Sequence, residues 1–264
     1  MSARGESAGG RIAQMLGEAL IAVAPVLTLV VLVIAWEIVC RVFAIPSFLL
    51  PRPTAIWRAA MDFGLAEWWE NIYHTLSIVL AGFAISMAFS LPLAALLVGS
   101  KFLNRTVVPL LVVVQSTPIA AVAPLIVVAL GSGSRSRILI TVLITFFPIV
   151  VAATTGLRET PQELIELSRS LDAPVSRQYL EIRFPFALPY IFGAAKVAVT
   201  LAVIGAVLAE FVASSAGLGY LLLNSAAMFK VPLAYACLIV LIVLSLTMYG
   251  AIALVERRTA GWMR

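Results

Sequence analysis

Apolar residues run in long uninterrupted stretches, and charged residues fall in the gaps between them. Stretches without Asp, Glu, Lys or Arg cover 19–36, 71–100, 106–134, 138–157, 184–195, 197–209 and 231–255. About 20 apolar residues in a helix cross a hydrocarbon core about 30 Å thick. The pattern predicts six spans, roughly 19–44, 75–100, 107–130, 137–157, 187–212 and 232–255. The stretches are long and lack strict alternation, which favours helices over a β-barrel. The fold class read from the pattern is an all-α integral membrane protein: a polar segment 1–18 and then one six-span domain, 19–264.

Composition agrees. Of 264 residues, 62% are hydrophobic and 12% charged, against about 45–50% apolar and about 25% charged in a soluble domain. With a mean hydropathy of +1.07 there is too little polar surface to cover a fold in water, and disordered, collagenous and disulfide-scaffold classes are excluded too. The net charge of +5 does not point to nucleic acid, because no basic block of five or six residues exists. Cys40 and Cys237 lie in apolar runs with no Cys or His nearby, as expected of free buried thiols. The first apolar run is too long for a cleavable signal and no small-x-small site closes it, so it is expected to stay as the first span.

Basic residues set the orientation. With both termini in the cytoplasm, the inner side collects Arg4, Arg11, Lys101, Arg105, Arg158, Arg169, Arg177, Arg183, Arg257, Arg258 and Arg264. The outer side collects Arg52, Arg58, Arg135, Arg137 and Lys230. Arg135 and Arg137, in a short outer loop, are the misfit. Two connections are long. In the outer one, Ile45–His74, residues 55–69 carry Trp57, Phe63, Trp68 and Trp69 among charges, and both an interfacial amphipathic helix and a plain loop fit.

The inner connection, 158–186, reads as a helical hairpin. Thr160-Pro161-Gln162-Glu163 is a helix start, with Thr160 as cap and Glu163 at the capping-box position. Leu164, Leu167 and Leu171 form one apolar stripe. Asp172-Ala173-Pro174 ends that helix. A second short helix follows, with Val175, Tyr179 and Ile182 on one side and an Arg177–Glu181 pair on another, and Pro185 and Pro189 lead into the fifth span. Spacing alone leaves two roles open, a docking surface for a cytoplasmic partner or a tie between spans four and five.

Glu166-Leu167-Ser168, three residues, Asp172, nine residues, then Ile182-Arg183-Phe184-Pro185 resembles the cytoplasmic loop of bacterial ABC importer permeases, which reads E-A-A, three residues, G, nine residues, I-x-L-P. Leu167 and Ser168 replace the alanines, Asp172 the glycine and Phe184 the leucine; Asp tolerates the left-handed turn better than most residues. Leu50-Pro51-Arg52-Pro53-Thr54, Gly82-Phe83, Ala123-Pro124-Leu125, Phe147-Pro148-Ile149, Glu210-Phe211 and Gly217-Leu218-Gly219-Tyr220 extend the similarity to the nitrate/sulfonate/taurine branch, although Ser77 stands where many relatives place Arg.

The resemblance implies a type I importer permease acting as a homodimer in the bacterial inner membrane. Its partners are a cytoplasmic ATPase dimer, which binds ATP and Mg, and an extracytoplasmic solute-binding protein. This chain has no phosphate-loop motif and is expected to be neither enzyme nor cofactor carrier. The coupling residues implied are Glu163, Leu164, Glu166, Leu167, Ser168, Leu171, Asp172, Ala173, Ile182 and Pro185, with Glu166 the ionic anchor to the ATPase. The expected pathway or gate residues are Pro118, Pro124 and Pro148, read as helix interruptions; Lys196, a pathway group or a snorkelling one; Glu210, facing a second copy or the binding protein; and Gly217 and Gly219, a re-entrant gate or a turn. Glu37 and Arg41 are expected to pair on one helix face, and His74 to pack at an interface. Sulfonates, taurine, nitrate, pyrimidine precursors and flavin-like compounds all fit as solutes, with Pro118–Leu125 closer to carriers of organic nutrients. Two further classes compete: a secondary transporter or channel, disfavoured by the absence of an internal repeat, and a non-transporting scaffold.

Overall fold

The computed structural model describes residues 8–260, with side chains from 24 to 259; Arg4, Arg264 and the side chain of Arg11 lie outside the described residues. Helix α1 (Ala8–Val42) already runs through the expected polar segment, and its spanning part is Ala24–Val42. The other spanning helices are α3 (Leu65–Gly99), α6 (Ser134–Arg158), the continuous stretch Val175–Ala213 and α11 (Val231–Ala260). The third expected span is instead a bent pair, α4 (Lys101–Ser116) and α5 (Ile119–Leu130), meeting at 94°. Short helices complete the chain: α2 (Pro53–Asp62), α7 (Gln162–Ser170), α8 (Val175–Arg177) and α10 (Leu218–Ala227), with α9 (Phe184–Ala213) the long part of the fifth span.

Helices α3, α6 and α9 form the core, because small residues let their backbones meet. A Cβ on Gly82 of α3 would lie 2.5 Å from Thr141 Cγ2 of α6, and one on Gly205 of α9 would lie 3.0 Å from the Thr141 Cα. Ala187, Ala198, Ala202, Ala206 and Ala209 make the buried face of α9. Hydroxyls join α3 to α6 directly, with Ser86 2.5 Å from Thr145 and Ser90 donating to the Phe146 carbonyl at 3.1 Å.

Helix α1 lies at the periphery, and from Ala24 onward most of its apolar side chains are exposed. The expected Glu37–Arg41 pair forms at 2.7 Å. Glu37 also accepts from the Thr54 amide (3.1 Å) and hydroxyl (3.0 Å), which holds the start of α2 against α1. The expected amphipathic segment is helical in two pieces: α2 ends at Asp62, and Phe63 and Gly64 turn the chain into α3. Trp68 Nε1 donates to the Ala60 carbonyl at 2.9 Å and its ring packs edge-on to Phe63, while Trp57 and Trp69 stay exposed.

Candidate functional site: a helical hairpin, a bent helix pair and a buried polar latch

Helix α7 starts at Gln162 after Pro161 with no side-chain cap. Thr160 is therefore not the cap; its hydroxyl donates back to the Leu157 carbonyl at 3.3 Å and closes the end of α6 instead. The far end of α7 is a Schellman turn. Asp172 takes the left-handed conformation (φ +50°), its amide donates to the Arg169 carbonyl (3.0 Å), and that of Ala173 to the Ser168 carbonyl (3.1 Å). The second arm is continuous with the fifth span. Residues 178–183 widen into a π-helical turn just ahead of Pro185, which gives the proline ring room against the preceding turn without breaking the helix.

Burial sorts the hairpin's faces. Ile165 and Ser168 point inward, and Gln178, also buried, donates to the Ile165 carbonyl at 3.4 Å. Leu167 (57% exposed) and Leu171 (73%) point out. With Leu164, Ala173, Pro174 and Ile182 they line a concavity of about 380 Å³ between the two arms. Glu163 and Glu166 are exposed on the outer side of α7, and among the described residues neither forms an ion pair. The Arg177–Glu181 pair forms at 2.9 Å. Pro185, at the start of α9, stands apart from the concavity. Arg183 donates to the Leu157 carbonyl at 2.8 Å, so the hairpin is fastened to the end of α6 as well as continuous with α9.

Of the three prolines expected to interrupt spans, only Pro118 does so; Pro124 lies inside α5 and Pro148 inside α6, both unbroken. At Pro118 the Ser116 and Thr117 hydroxyls bond back to the Val112 and Val113 carbonyls (2.8 and 3.2 Å). Only Thr117, Ala121 and Val122 donate backbone bonds around the corner, leaving the Gln115, Ser116 and Thr117 carbonyls and the Ile119 and Ala120 amides without backbone partners. Irregular backbone at membrane depth is tolerated only when covered by protein or lining a wet cavity. A cavity of about 500 Å³ does open here, walled by Gln115, Thr117, Ile119, Leu143, Ile144 and Ile204 among others, and no charged side chain lines it.

At the opposite end of the bundle from the hairpin, Glu210 is fully buried at the end of α9, in neither of the exposed positions expected of it. It accepts from the Thr75 hydroxyl of α3 (2.8 Å) and from the Gly219 amide of α10 (2.7 Å). Thr75 in turn accepts from the Leu218 amide and Asn71 from the Gly217 amide, each at 2.8 Å. Glycine is required at 217, where φ is +112° and a Cβ would collide with the Glu210 carboxylate. Gly217 and Gly219 thus let α10 turn back into the bundle rather than merely end a span. Arg137 completes the cluster: it is buried, donates to the Ser214 hydroxyl at 2.6 Å and lies 3.2 Å from His74 Nε2. This burial takes Arg137 out of the misfit in the expected charge pattern, while Arg135 stays exposed. Asn71, Thr75, Arg137 and Ser214 were not expected in this cluster; the only cue was an Arg opening an apolar span whose neighbour carries the chain's single His.

Lys196 pairs with Glu256 of α11 at 2.8 Å. The seven expected pathway residues therefore separate. Glu210, Gly217 and Gly219 share the buried latch, Pro118 makes the broken corner, and Pro124, Pro148 and Lys196 belong to neither.

Residues 86–261 match the family described as "Binding-protein-dependent transport system inner membrane component". A probable ABC transporter permease protein of Haemophilus influenzae is 36% identical, covering 86% of this chain and 93% of the relative. The riboflavin transport system permease protein RibX of Chloroflexus aurantiacus is 34% identical (89% and 88%). The formylaminopyrimidine transport permease protein ThiX of Halalkalibacterium halodurans is 32% identical (92% and 97%). Among solved structures, a chain of the inward-facing MetNI methionine ABC transporter superposes with a TM-score of 0.66 at 20% identity, covering 74% of this chain and 99% of that one.

Proposed function

Because the chain belongs to the family of binding-protein-dependent transport system inner membrane components, we propose that two copies of it form the solute path of an ATP-driven importer, the α7 hairpin of each seated in a groove of a cytoplasmic ATPase subunit. The chain is the permease, and ATP is bound by the partner ATPase. The observation that carries the docking role is the hairpin's outward face: a stripe of exposed leucines beside a concavity, with Glu166 free to meet a basic residue. The hairpin side is then cytoplasmic, and so are the start of α1 and the end of α11.

The hairpin's attachments explain transmission. Its first arm follows α6, its second arm is one helix with α9, and Arg183 ties the second arm back to α6. Closure of the ATPase subunits would move each hairpin as a lever rigid with α6 and α9, tipping the bundle between inward- and outward-open states. The broken corner at Pro118 lines the path, and the second copy covers its irregular backbone; the exposed Leu125 and Val128 of α5 support that covering.

The solute is an uncharged, planar nitrogen heterocycle of the riboflavin or formylaminopyrimidine kind. Two relatives carry those solutes in their names, and the cavity at the corner offers an amide, a hydroxyl and free backbone groups but no fixed charge. An oxyanion would enter such a wall without a counter-charge. The test is uptake by proteoliposomes holding permease, ATPase and binding protein. ATP-dependent accumulation of labelled riboflavin or formylaminopyrimidine is expected. Uptake of nitrate or taurine in preference contradicts the solute class, and uptake by the permease alone contradicts the importer reading.

A further inference from the structure

Three cations from two helices are gathered at the hairpin end of the bundle. Lys101 and Arg105 from the start of α4 and Arg158 from the end of α6 surround a concavity of about 280 Å³, completed by Asn104 and by Leu97 and Val98 of α3. Among the described residues none of the three forms an ion pair. Elsewhere on the molecule basic groups do find acids, as Arg177 finds Glu181 and Lys196 finds Glu256. Three like charges around one hollow repel each other, and an anion seated between them relieves that repulsion. Two guanidinium forks and an ammonium are the donor set that suits phosphate oxygens, and the Asn104 amide adds a neutral hydrogen-bonding group.

The surroundings distinguish a lipid from a soluble phosphate. Leu97 and Val98 make part of the wall apolar, and their chain neighbour Leu96 (57% exposed) on α3 and Phe102 (76%), next to Lys101 on α4, are exposed, an apolar-and-charged combination that suits the level where headgroup gives way to acyl chain. The hollow also shares its walls with the root of the hairpin. Arg158 follows Leu157, whose carbonyl accepts Arg183, and a Cβ on Gly99 would lie 3.2 Å from the Tyr179 hydroxyl.

We propose that this hollow binds the phosphodiester headgroup of an anionic phospholipid in the inner leaflet, and that the bound lipid braces the root of the α7 hairpin. The leaflet and the bracing of a coupling element rest on the reading proposed above; recognition of the phosphate does not. Basic residues close to an anionic headgroup each strengthen binding about five-fold.

The purified permease–ATPase complex, exposed to mixed micelles of equal phosphatidylglycerol and phosphatidylethanolamine, is examined by native mass spectrometry. The native protein is expected to retain phosphatidylglycerol preferentially. Retention should fall about five-fold with each of Lys101→Gln, Arg105→Gln and Arg158→Gln, with the complex still assembled and its Tm unchanged. Arg257→Gln with Arg258→Gln, basic positions on the same side but outside the hollow, should leave retention as it was. Equal retention by the triple variant, or equal loss in the Arg257/Arg258 control, overturns the site. Displacement of the lipid by millimolar inorganic phosphate overturns the lipid in favour of a soluble phosphate compound. In vesicles, added phosphatidylglycerol should raise solute-stimulated ATP hydrolysis of the native complex but not of the triple variant; equal responses overturn the bracing role. Labelling of Ser170→Cys by an impermeant maleimide from outside overturns the leaflet alone, so failure of the orientation is read separately from failure of the site.

Discussion

Replacing Glu210 with alanine is the most informative single perturbation of the fold. The carboxylate receives the Thr75 hydroxyl at 2.8 Å and the Gly219 amide at 2.7 Å, with no solvent to replace either. Each buried donor left without its partner costs about 1–3 kcal/mol. The substitution also removes the carboxyl group that lies near the buried Arg137. Relief from burying the carboxylate offsets part of the loss, leaving about 3–5 kcal/mol of destabilisation. At about 2–4 °C per kcal/mol for chains of roughly this size, Tm should fall by on the order of 10 °C. The assay is built into the chain, since Cys40 and Cys237 are both fully buried and a thiol-reactive fluorophore reports their exposure on heating. Glu210→Gln keeps the shape and one acceptor and should cost about 1 kcal/mol. Because Thr75 bridges Glu210 and the Leu218 amide, Thr75→Val and Glu210→Ala should be non-additive by about 1 kcal/mol. A Glu210→Ala midpoint within about 2 °C of the native protein would refute the latch, since that corresponds to at most about 1 kcal/mol.

Other substitutions test neighbouring parts of the account. Gly82→Val should abolish a stable α3–α6 contact, because even a Cβ there meets Thr141 at 2.5 Å; the expected result is loss of folded protein on size-exclusion chromatography in detergent. Asp172→Gly removes left-handed strain at φ +50° and should raise Tm slightly, by up to about 1 kcal/mol of stability, with solute-stimulated ATP hydrolysis retained. Lys196→Met should lower Tm by less than Glu210→Ala and leave uptake near native, since the lysine is held by Glu256; abolished uptake in an intact complex would make it a pathway residue after all.

The spans and the hairpin were legible because their signals are local. Apolar run length marks a crossing, and Asp172-Ala173-Pro174 carries its turn within three residues. The broken span was harder to see. Pro118, Pro124 and Pro148 look alike in sequence, yet only Pro118 follows a Ser-Thr pair whose hydroxyls satisfy carbonyls of the preceding turn and let the helix stop. The buried latch was not legible, because its partners are remote: Arg137 meets His74 from 63 residues away and Ser214 from 77. The Lys196–Glu256 pair, 60 residues apart, escaped for the same reason. Local pattern specifies which segments cross, whereas polar pairing between crossings depends on how the helices are rotated against one another.

The central claim is that an ATPase grips the α7 hairpin through its exposed face. ATP hydrolysis by the reconstituted complex, measured with and without solute-loaded binding protein, tests it directly in Glu166→Lys, a reversal at an exposed position with no ion-pair partner among the described residues. The account predicts a folded permease whose hydrolysis no longer rises with solute; stimulation equal to that of the native complex would contradict it.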